Sequence, residues 1–193
     1  THQIIEPAFA AIDHVRTAHF NAIAGIDRYR EVRLLIVVGR PLPSSEALLP
    51  IGASLFHELP EGKYRPNLRA VRMRSGKSAV VRAVTHENET AELLRAAICD
   101  DELIQAIGRG RGVNRTADNP LEVKVLADVA LPLIHDRVVA WEAVLPDIFQ
   151  RMLMAGVAVD SPADAAQLHP DLFDNDKQAQ KLWERSGFKR QYP

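Results

Sequence analysis

The distribution of apolar and polar positions predicts a mixed α/β chain. Short β-branched or apolar runs at 14–20 and 32–38 predict strands, and the second, VRLLIVV, has the continuous apolar character of a buried strand. A further apolar run at 121–126 predicts one more strand. Helical patterns separate these runs, which favours a parallel sheet with helices packed on it.

Two helical segments lie between the outer strands. The first is expected to begin at Ser44 or Ser45, since serine caps helices well, and Pro50 is expected to kink or shorten it. The second, ENETAELLRAAICDDELIQAI, is expected to be helical from about Thr90, with acidic residues at its start as the helix dipole favours. The stretch CDDE is expected to divide this helix in two, with Asp100 capping the second part.

The segment 62–85 predicts a β-hairpin inserted between these helices. Ser75 and Gly76 supply a two-residue turn, which places Arg74 opposite Lys77. Like charges at the tip of a hairpin repel each other, so we expect a bound anion to compensate them.

This hairpin concentrates positive charge without any acidic residue. The net charge is only −1, yet from position 62 to position 82 no Asp or Glu occurs. The same stretch holds seven basic residues: Lys63, Arg65, Arg69, Arg72, Arg74, Lys77 and Arg82. Such segregation indicates a local surface for a polyanion, with an ordinary solvated ribbon as the alternative.

From Asp136 onward the pattern is helical. Ser161 and Pro162 are suited to cap and start one short helix, and DNDKQAQKLWERSG predicts a last one that ends at Gly187. We therefore expect two domains, an α/β domain over 1–135 and a small all-helical tail over 136–193.

Composition restricts the class of protein. With 47% hydrophobic and 25% charged residues and no apolar run near the roughly 20 residues that cross a bilayer, the chain is expected to be cytoplasmic and to bind no membrane. Cys99 is the single cysteine, and the seven histidines lack metal-site spacing, so neither a disulfide nor a metal site is predicted. Because the chain opens at Thr1 within an apparently structured segment, we expect it to be a piece of a longer protein.

The most informative stretch is IQAIGRGRGVNRT, residues 104–116. Three glycines and three arginines follow a helical lead-in within a few positions. Glycine permits close approach of the backbone to a ligand, and arginine binds phosphate in a bidentate manner. The stretch therefore predicts a phosphate-binding loop, with a solvated loop or structural anion site as the alternative.

Two stretches together resemble a known family. HFNAIAGIDRYREVRLLIVVGRPLP (19–43) resembles the fifth motif of superfamily 2 helicases, and QAIGRGRGVNR (105–115) resembles their sixth motif. Their order and context are similar to the second, C-terminal RecA-like motor lobe, in the form found in plasmid- or phage-type primase-helicase proteins. The resemblance covers about 14–130 and implies an α/β RecA-like parallel-sheet lobe with an inserted hairpin.

The resemblance implies specific roles. The chain would complete the ATP site of a helicase or translocase in DNA replication by a mobile element, with ATP and Mg²⁺ held mainly by a missing N-terminal lobe of the same parent chain. Nucleotide-binding residues implied by the motifs are Gly25, Asp27, Gln105 and Gly108. Arginines implied to act catalytically on the γ-phosphate are Arg109, with Arg111 or Arg115.

The chain departs from the family pattern at two positions. His19 stands where a threonine is usual, and Gly112 stands where a second arginine is usual. RSGKS at 74–78 contains Gly-Lys-Ser, but the earlier glycine of a phosphate loop is replaced by Val71. We therefore expect this chain alone to hydrolyse no ATP.

Nucleic acid, expected to be single-stranded DNA, is the predicted macromolecular partner. The residues predicted to contact it are His19, Lys63, Arg65, Arg72, Arg74 and Lys77. Two other functions remain open at this point: an accessory or replication-initiator module that binds nucleic acid without ATPase function, and a complete small enzyme acting on a phosphorylated metabolite.

Overall fold

The computed structural model describes residues 2–9, 12–22, 25 and 29–186. The chain divides into two compact units, Thr1–Val138 and Val139–Pro193. The first unit mixes helices with two small sheets, which confirms the predicted α/β class. Its elements are α1 (His2–Phe9), β1 (Leu34–Val38), α2 (Ser45–Phe56), β2 (Tyr64–Met73), β3 (Ser78–His86), α3 (Glu89–Arg95), a π-helical turn (Ala96–Asp100), α4 (Asp101–Gly108), a 3₁₀ turn (Gly112–Asn114), β4 (Glu122–Leu126) and β5 (Ile134–His135).

The strand predicted over 14–20 does not form. Residues 15–19 have no regular secondary structure and join no sheet. The segment is held in place by side chains: Phe20 packs against the main core cluster, and the Tyr29 hydroxyl donates to the Thr17 carbonyl at 3.3 Å. The prediction was wrong because an apolar run also arises where an irregular segment covers a core.

Helix α2 begins where the sequence predicts. The Ser44 hydroxyl accepts from the backbone N–H of Ala47 at 3.2 Å, which satisfies one donor of the first turn. Pro50 lies inside the helix, yet the helix continues to Phe56, so the predicted shortening does not occur. Proline removes one backbone donor, and burial of Leu48 against the neighbouring helix offsets that loss.

The core of the first unit lies under a parallel strand pair. Strands β1 and β4 pair in parallel from Leu34 opposite Glu122 to Val38 opposite Leu126. Helix α4 and the π-helical turn before it contribute Cys99, Leu103 and Ala106 to the cluster of buried residues that includes Val37 of β1. The helix that leads into the glycine–arginine stretch is therefore anchored to the sheet.

The π-helical turn gives a buried arginine two acidic partners. Asp100 lies five positions after Arg95, and in a regular α-helix the two side chains would lie about 140° apart around the axis. The wider turn brings them together, so that Arg95 Nη1 and Nη2 donate to Asp100 at 2.7 and 2.8 Å. Arg95 Nε and Nη2 also donate to Glu92, both at 2.9 Å.

A second bidentate pair joins the carboxyl ends of the two parallel strands. Arg40 follows β1 and Asp128 follows β4, and Arg40 Nε and Nη2 donate to the carboxylate at 2.6 and 3.0 Å. Partial burial raises the pKa of the Asp128 carboxyl, but the hydrogen bonds and the charge of Arg40 lower that pKa by more. The net result is a pKa below its ordinary value. The pair therefore depends on an ionised carboxylate.

This depressed pKa predicts a stability difference that depends on pH. A carboxyl whose folded-state pKa is lowered stabilises the fold above its unfolded pKa of about 3.9, and that stabilisation is lost as pH falls through the folded-state pKa. Asp128→Asn should therefore lower the free energy of unfolding at neutral pH and change it progressively less as the pH drops below about 4. Urea unfolding of wild type and of Asp128→Asn, from neutral pH to below about 4, measures this difference in the free energy of unfolding. A difference that does not vary with pH would contradict the lowered pKa of Asp128.

The hairpin forms as predicted, but its register differs by one residue. Strands β2 and β3 are antiparallel with Arg72 opposite Ser78, and the Met73 N–H donates to the Lys77 carbonyl at 2.9 Å. The loop therefore has three residues, and its last, Gly76, adopts φ 81°. Three-residue loops commonly end in a left-handed glycine, so the predicted two-residue turn was wrong.

The second unit is helical. Its elements are a 3₁₀ turn (Trp141–Ala143), α5 (Ile148–Met154), α6 (Pro162–Leu168) and α7 (Asp176–Ser186). Ser161 caps α6 by accepting from Asp164 N–H at 3.3 Å, as predicted, and Trp183 lies in the centre of the apolar core of this unit. The predicted end of α7 at Gly187 lies outside the described residues. Among the helices of the described residues, none is long and apolar enough to cross a bilayer.

Candidate functional site

The residues that follow α4 form a compact loop, here called the glycine–arginine loop (108–115). Its backbone turns are closed by hydrogen bonds from Gly110 N–H to Ile107 and from Arg111 N–H to Gly108, at 3.1 and 3.0 Å. Arg111 adopts φ 53°, a left-handed conformation that is uncommon for residues other than glycine. The chain then enters the 3₁₀ turn. The loop is thus a defined structure rather than an irregular connection.

Gly110 packs closely against the residue that precedes β4. A Cβ at this position would lie 2.5 Å from Leu121 Cδ2, so any other residue here would require the Leu121 side chain to shift. A Cβ at Gly108 or Gly112 would meet nothing within 4 Å. Those two glycines therefore leave open space beside the arginines.

Arg115 holds the loop closed. Its Nε and Nη2 donate to the Gly110 carbonyl at 2.9 and 2.7 Å, and its Nη1 donates to Asn119 Oδ1 at 3.0 Å. All three nitrogens of the guanidinium thus hydrogen-bond within the chain. We assign Arg115 a positioning role, and the predicted phosphate contact rests on Arg109 and Arg111.

Arg109 and Arg111 differ in their surroundings. Arg109 is half-buried, and its buried Nε has no hydrogen-bond partner in the described part of the chain. A buried donor without an acceptor is costly, and a phosphate oxygen would relieve that cost only after the loop had moved to admit it. Arg111 is exposed and lies at the edge of two clefts beside the loop.

The first cleft is polar and has a volume of about 440 Å³. It is lined by Arg30, Glu31, Arg111, Asn114, Arg115 and Asn119. Guanidinium and amide groups are the donors that phosphate oxygens accept from. Glu31 makes an exposed ion pair with Arg30 at 3.5 Å, which partly offsets its negative charge.

The second cleft is largely apolar and has a volume of about 560 Å³. Its walls include Ile104 and Ile107 of α4, Val113 of the loop, and Leu121 and Val123 at the start of β4. The loop therefore separates a polar surface from an apolar one.

The two motif-like stretches converge at the polar cleft. Arg30 and Glu31 belong to the stretch 19–43, and Arg111 belongs to the stretch 105–115. A second link holds them together, because the Asn21 N–H donates to Glu102 Oε1 of α4 at 2.8 Å. The structure thus brings together segments that are far apart in sequence.

The remaining predicted nucleotide-binding residues are placed as follows. Gly25 is exposed with φ 73°, so it occupies a turn that favours glycine. Gln105 lies exposed on α4, and Gly108 ends that helix. Asp27 lies outside the described residues. In the described part of the chain, no group of three or more acidic, histidine or cysteine side chains is arranged to hold a metal ion.

The residues predicted to contact nucleic acid differ in whether their side chains are already paired within the chain. His19 is exposed, and its Nδ1 donates to the Phe20 carbonyl at 2.9 Å. Arg65 pairs with Glu87 at 2.8 Å, and Arg74 donates to the carboxylate of Asp136 through Nε and Nη2. The expected repulsion at the hairpin tip is therefore offset by Asp136, a residue that the local charge count did not include.

Lys63, Arg72 and Lys77 keep their side chains in solvent. All three are exposed, and none has an acidic side-chain partner among the residues described. Gly76 and Lys77 lie at and just after the hairpin loop, so the Gly-Lys-Ser sequence does not join a strand to a helix. The sequence therefore lacks the strand–loop–helix context of a phosphate loop.

Sequence reasoning missed several residues of these surfaces. Arg30, Asn114 and Asn119 line the polar cleft, and none of them carries a local signal that marks it as a ligand. Arg82 was counted as a charge but not as a contact residue, since its face depends on the register of the hairpin. Comparison of the chain with family models, with curated proteins and with solved structures finds no match.

Proposed function

We propose that this chain is the second, C-terminal RecA-like motor lobe of an ATP-dependent nucleic-acid helicase or translocase of the superfamily 2 type. The observation that carries the proposal is the convergence of the two motif-like stretches at the polar cleft, through Arg30 of the first and Arg111 of the second. Sequence resemblance alone supplies two separate matches. Residues of both stretches line one cleft, so they could contact the same ligand.

In this proposal the glycine–arginine loop senses the γ-phosphate of ATP. ATP with Mg²⁺ would bind between this lobe and an N-terminal lobe. Negative charge develops on the γ-phosphoryl group as that group is transferred. Arg109 and Arg111 donate hydrogen bonds to that charge, and a preplaced arginine can be worth ~10³–10⁵ in rate. Lysine would lose the planar fork on which bidentate donation depends.

Other residues of this chain keep those arginines in place. Arg115 draws the Gly110 carbonyl toward itself, and Gly110 lets the loop pack on Leu121. The bond from Asn21 to Glu102 fixes the fifth-motif-like segment to α4, the helix that ends in the loop. A movement of the fifth-motif-like segment would therefore also move α4 and the loop. Such a link would couple closure of the two lobes on ATP to movement of the nucleic-acid strand, and the resemblance implies that Asp27 takes part in it.

A second candidate function is a nucleic-acid-binding accessory or replication-initiator module without ATPase function. The exposed cations of the hairpin favour it, because they would bind phosphates without any nucleotide. It predicts salt-sensitive binding of DNA that survives Arg109→Ala.

ATP hydrolysis by the parent protein, measured with and without single-stranded DNA, separates the two candidates. A motor lobe predicts hydrolysis that the strand stimulates. An accessory module predicts no hydrolysis under either condition, although the strand is bound. The 193-residue chain alone is the matched control and should be inactive in both cases, since it holds no phosphate loop.

A further inference from the structure

One face of the hairpin combines arginines with exposed aliphatic side chains. The observed register places Leu68 opposite Arg82, Ala70 opposite Val80, and Arg72 opposite Ser78. These six residues, here called the hairpin face, lie on the same side of the two strands because side chains alternate along a strand. All six are exposed, and Leu68 and Val80 keep 75% and 64% of their surface in solvent.

The charges of the hairpin face are not neutralised within the described residues. Arg65 and Arg74, elsewhere on the hairpin, are each paired with a carboxylate. Arg72 and Arg82 have no acidic partner in the described part of the chain, and no acidic residue lies on the hairpin face itself. Two uncompensated guanidinium groups thus flank an apolar strip.

We propose that the hairpin face binds a single-stranded nucleic acid. This inference rests on the proposed function in one respect, since it names the surface on which the strand of a motor lies. Arg72 and Arg82 donate to two phosphates, and Leu68 and Val80 contact the apolar faces of bases and sugars between them. A duplex presents mainly phosphates to a flat surface, whereas a single strand presents phosphates and unpaired bases together.

Other occupants of this face are disfavoured. Two copies of the chain packed face to face would bring arginines together, and like charges in contact are destabilising. A strand of nucleic acid instead supplies regularly spaced negative charge, and binding releases its condensed counterions. Charge complementarity therefore selects a polyanion, and the aliphatic strip selects one with exposed bases.

Fluorescence anisotropy of a labelled oligothymidylate with the 193-residue chain, at several salt concentrations and without ATP, tests this inference. Replacing both Arg72 and Arg82 by alanine should weaken binding at least about tenfold at low salt. It should also make the slope of log K against log salt shallower by about 0.7 for each lost phosphate contact. Arg33→Ala together with Arg137→Ala is the matched control, because both are exposed arginines of the first unit that lie outside the hairpin, and it should leave most of the affinity and slope.

The aliphatic contacts have a separate signature. Leu68→Ser with Val80→Ser should weaken binding several-fold without changing the salt slope, because these contacts release no counterions. Thermal melts establish that each variant is folded. The proposal would be overturned by an unchanged slope in the Arg72/Arg82 variant, by equal affinity for duplex and single strand, or by equal affinity for polyglutamate, which would mark an acidic protein as the partner. Since no nucleotide is present, strand binding can succeed even if the parent protein proves to have no ATPase activity.

Discussion

Arg109→Ala in the parent protein is expected to lower strand-stimulated ATP hydrolysis by about 10³-fold. The guanidinium is half-buried at the end of α4, and its Nε has no acceptor among the described residues. If the guanidinium contacts a phosphate oxygen that gains charge in the transition state, removal of the guanidinium lowers kcat more than it weakens ATP binding. Steady-state hydrolysis at saturating single-stranded DNA measures the effect.

A matched control for this variant is Arg33→Ala. Arg33 is an exposed arginine of the same unit, whereas Arg109 is half-buried and has a buried Nε. The control should retain hydrolysis close to wild type, and Arg109→Ala should retain the affinity for single-stranded DNA. Equal hydrolysis by Arg109→Ala and wild type would make the loop a structural feature and contradict its role as a phosphate sensor.

Arg95→Ala is expected to destabilise the first unit by about 3–5 kcal/mol. The arginine side chain is only 7% exposed and donates to both Glu92 and Asp100. Removal of the guanidinium leaves two carboxylates in a partly buried position without their counter-charge, and such a loss costs far more than a surface ion pair. It also removes the contact that favours the π-helical turn before α4.

Urea unfolding measures this difference directly. Arg65→Ala is the control, because Arg65 pairs with Glu87 at a similar distance while both side chains stay largely in solvent. Its unfolding midpoint should stay near that of wild type. Similar small effects from Arg65→Ala and Arg95→Ala would show that burial does not strengthen the Arg95 cluster.

Much of the fold follows from local pattern. The run LLIVV became β1, and the helix caps at Ser44 and Ser161 lie where the side-chain chemistry favours them. The chain divides into two compact units after Val138. In these places short-range preference and tertiary packing agree, so the sequence is sufficient. The prediction that β1 is buried was wrong, because one face of the strand is exposed at Leu34, Ile36 and Val38.

The register of the hairpin was beyond local pattern. Ser75 and Gly76 are compatible with a two-residue turn and with the last two positions of a three-residue loop, and only tertiary packing selects between them. Pairing of β2 with β5, from Arg72 opposite Ile134, adds such a constraint. The single-residue difference decides which side chains share a face, so the hairpin face could not be identified from sequence.

The ion pairs could not be predicted from the sequence, because their partners lie far apart along the chain. Asp136 lies 62 positions from Arg74, and Asp128 lies 88 positions from Arg40. A count of charges within a window cannot include such partners. The same limit applies to the polar cleft, where Arg30 and Arg111 come from separate stretches.

The most direct test of the proposed phosphate sensor compares two nucleotides rather than two rates. The dissociation constants of a non-hydrolysable ATP analogue and of ADP are measured for the parent protein and for its Arg109→Ala variant. If Arg109 contacts the γ-phosphate, wild type binds the triphosphate more tightly than ADP, and the variant loses most of that preference while its affinity for ADP stays nearly constant. An equal preference in both proteins would contradict the account, because the arginine would then have no contact with the group that it is proposed to sense.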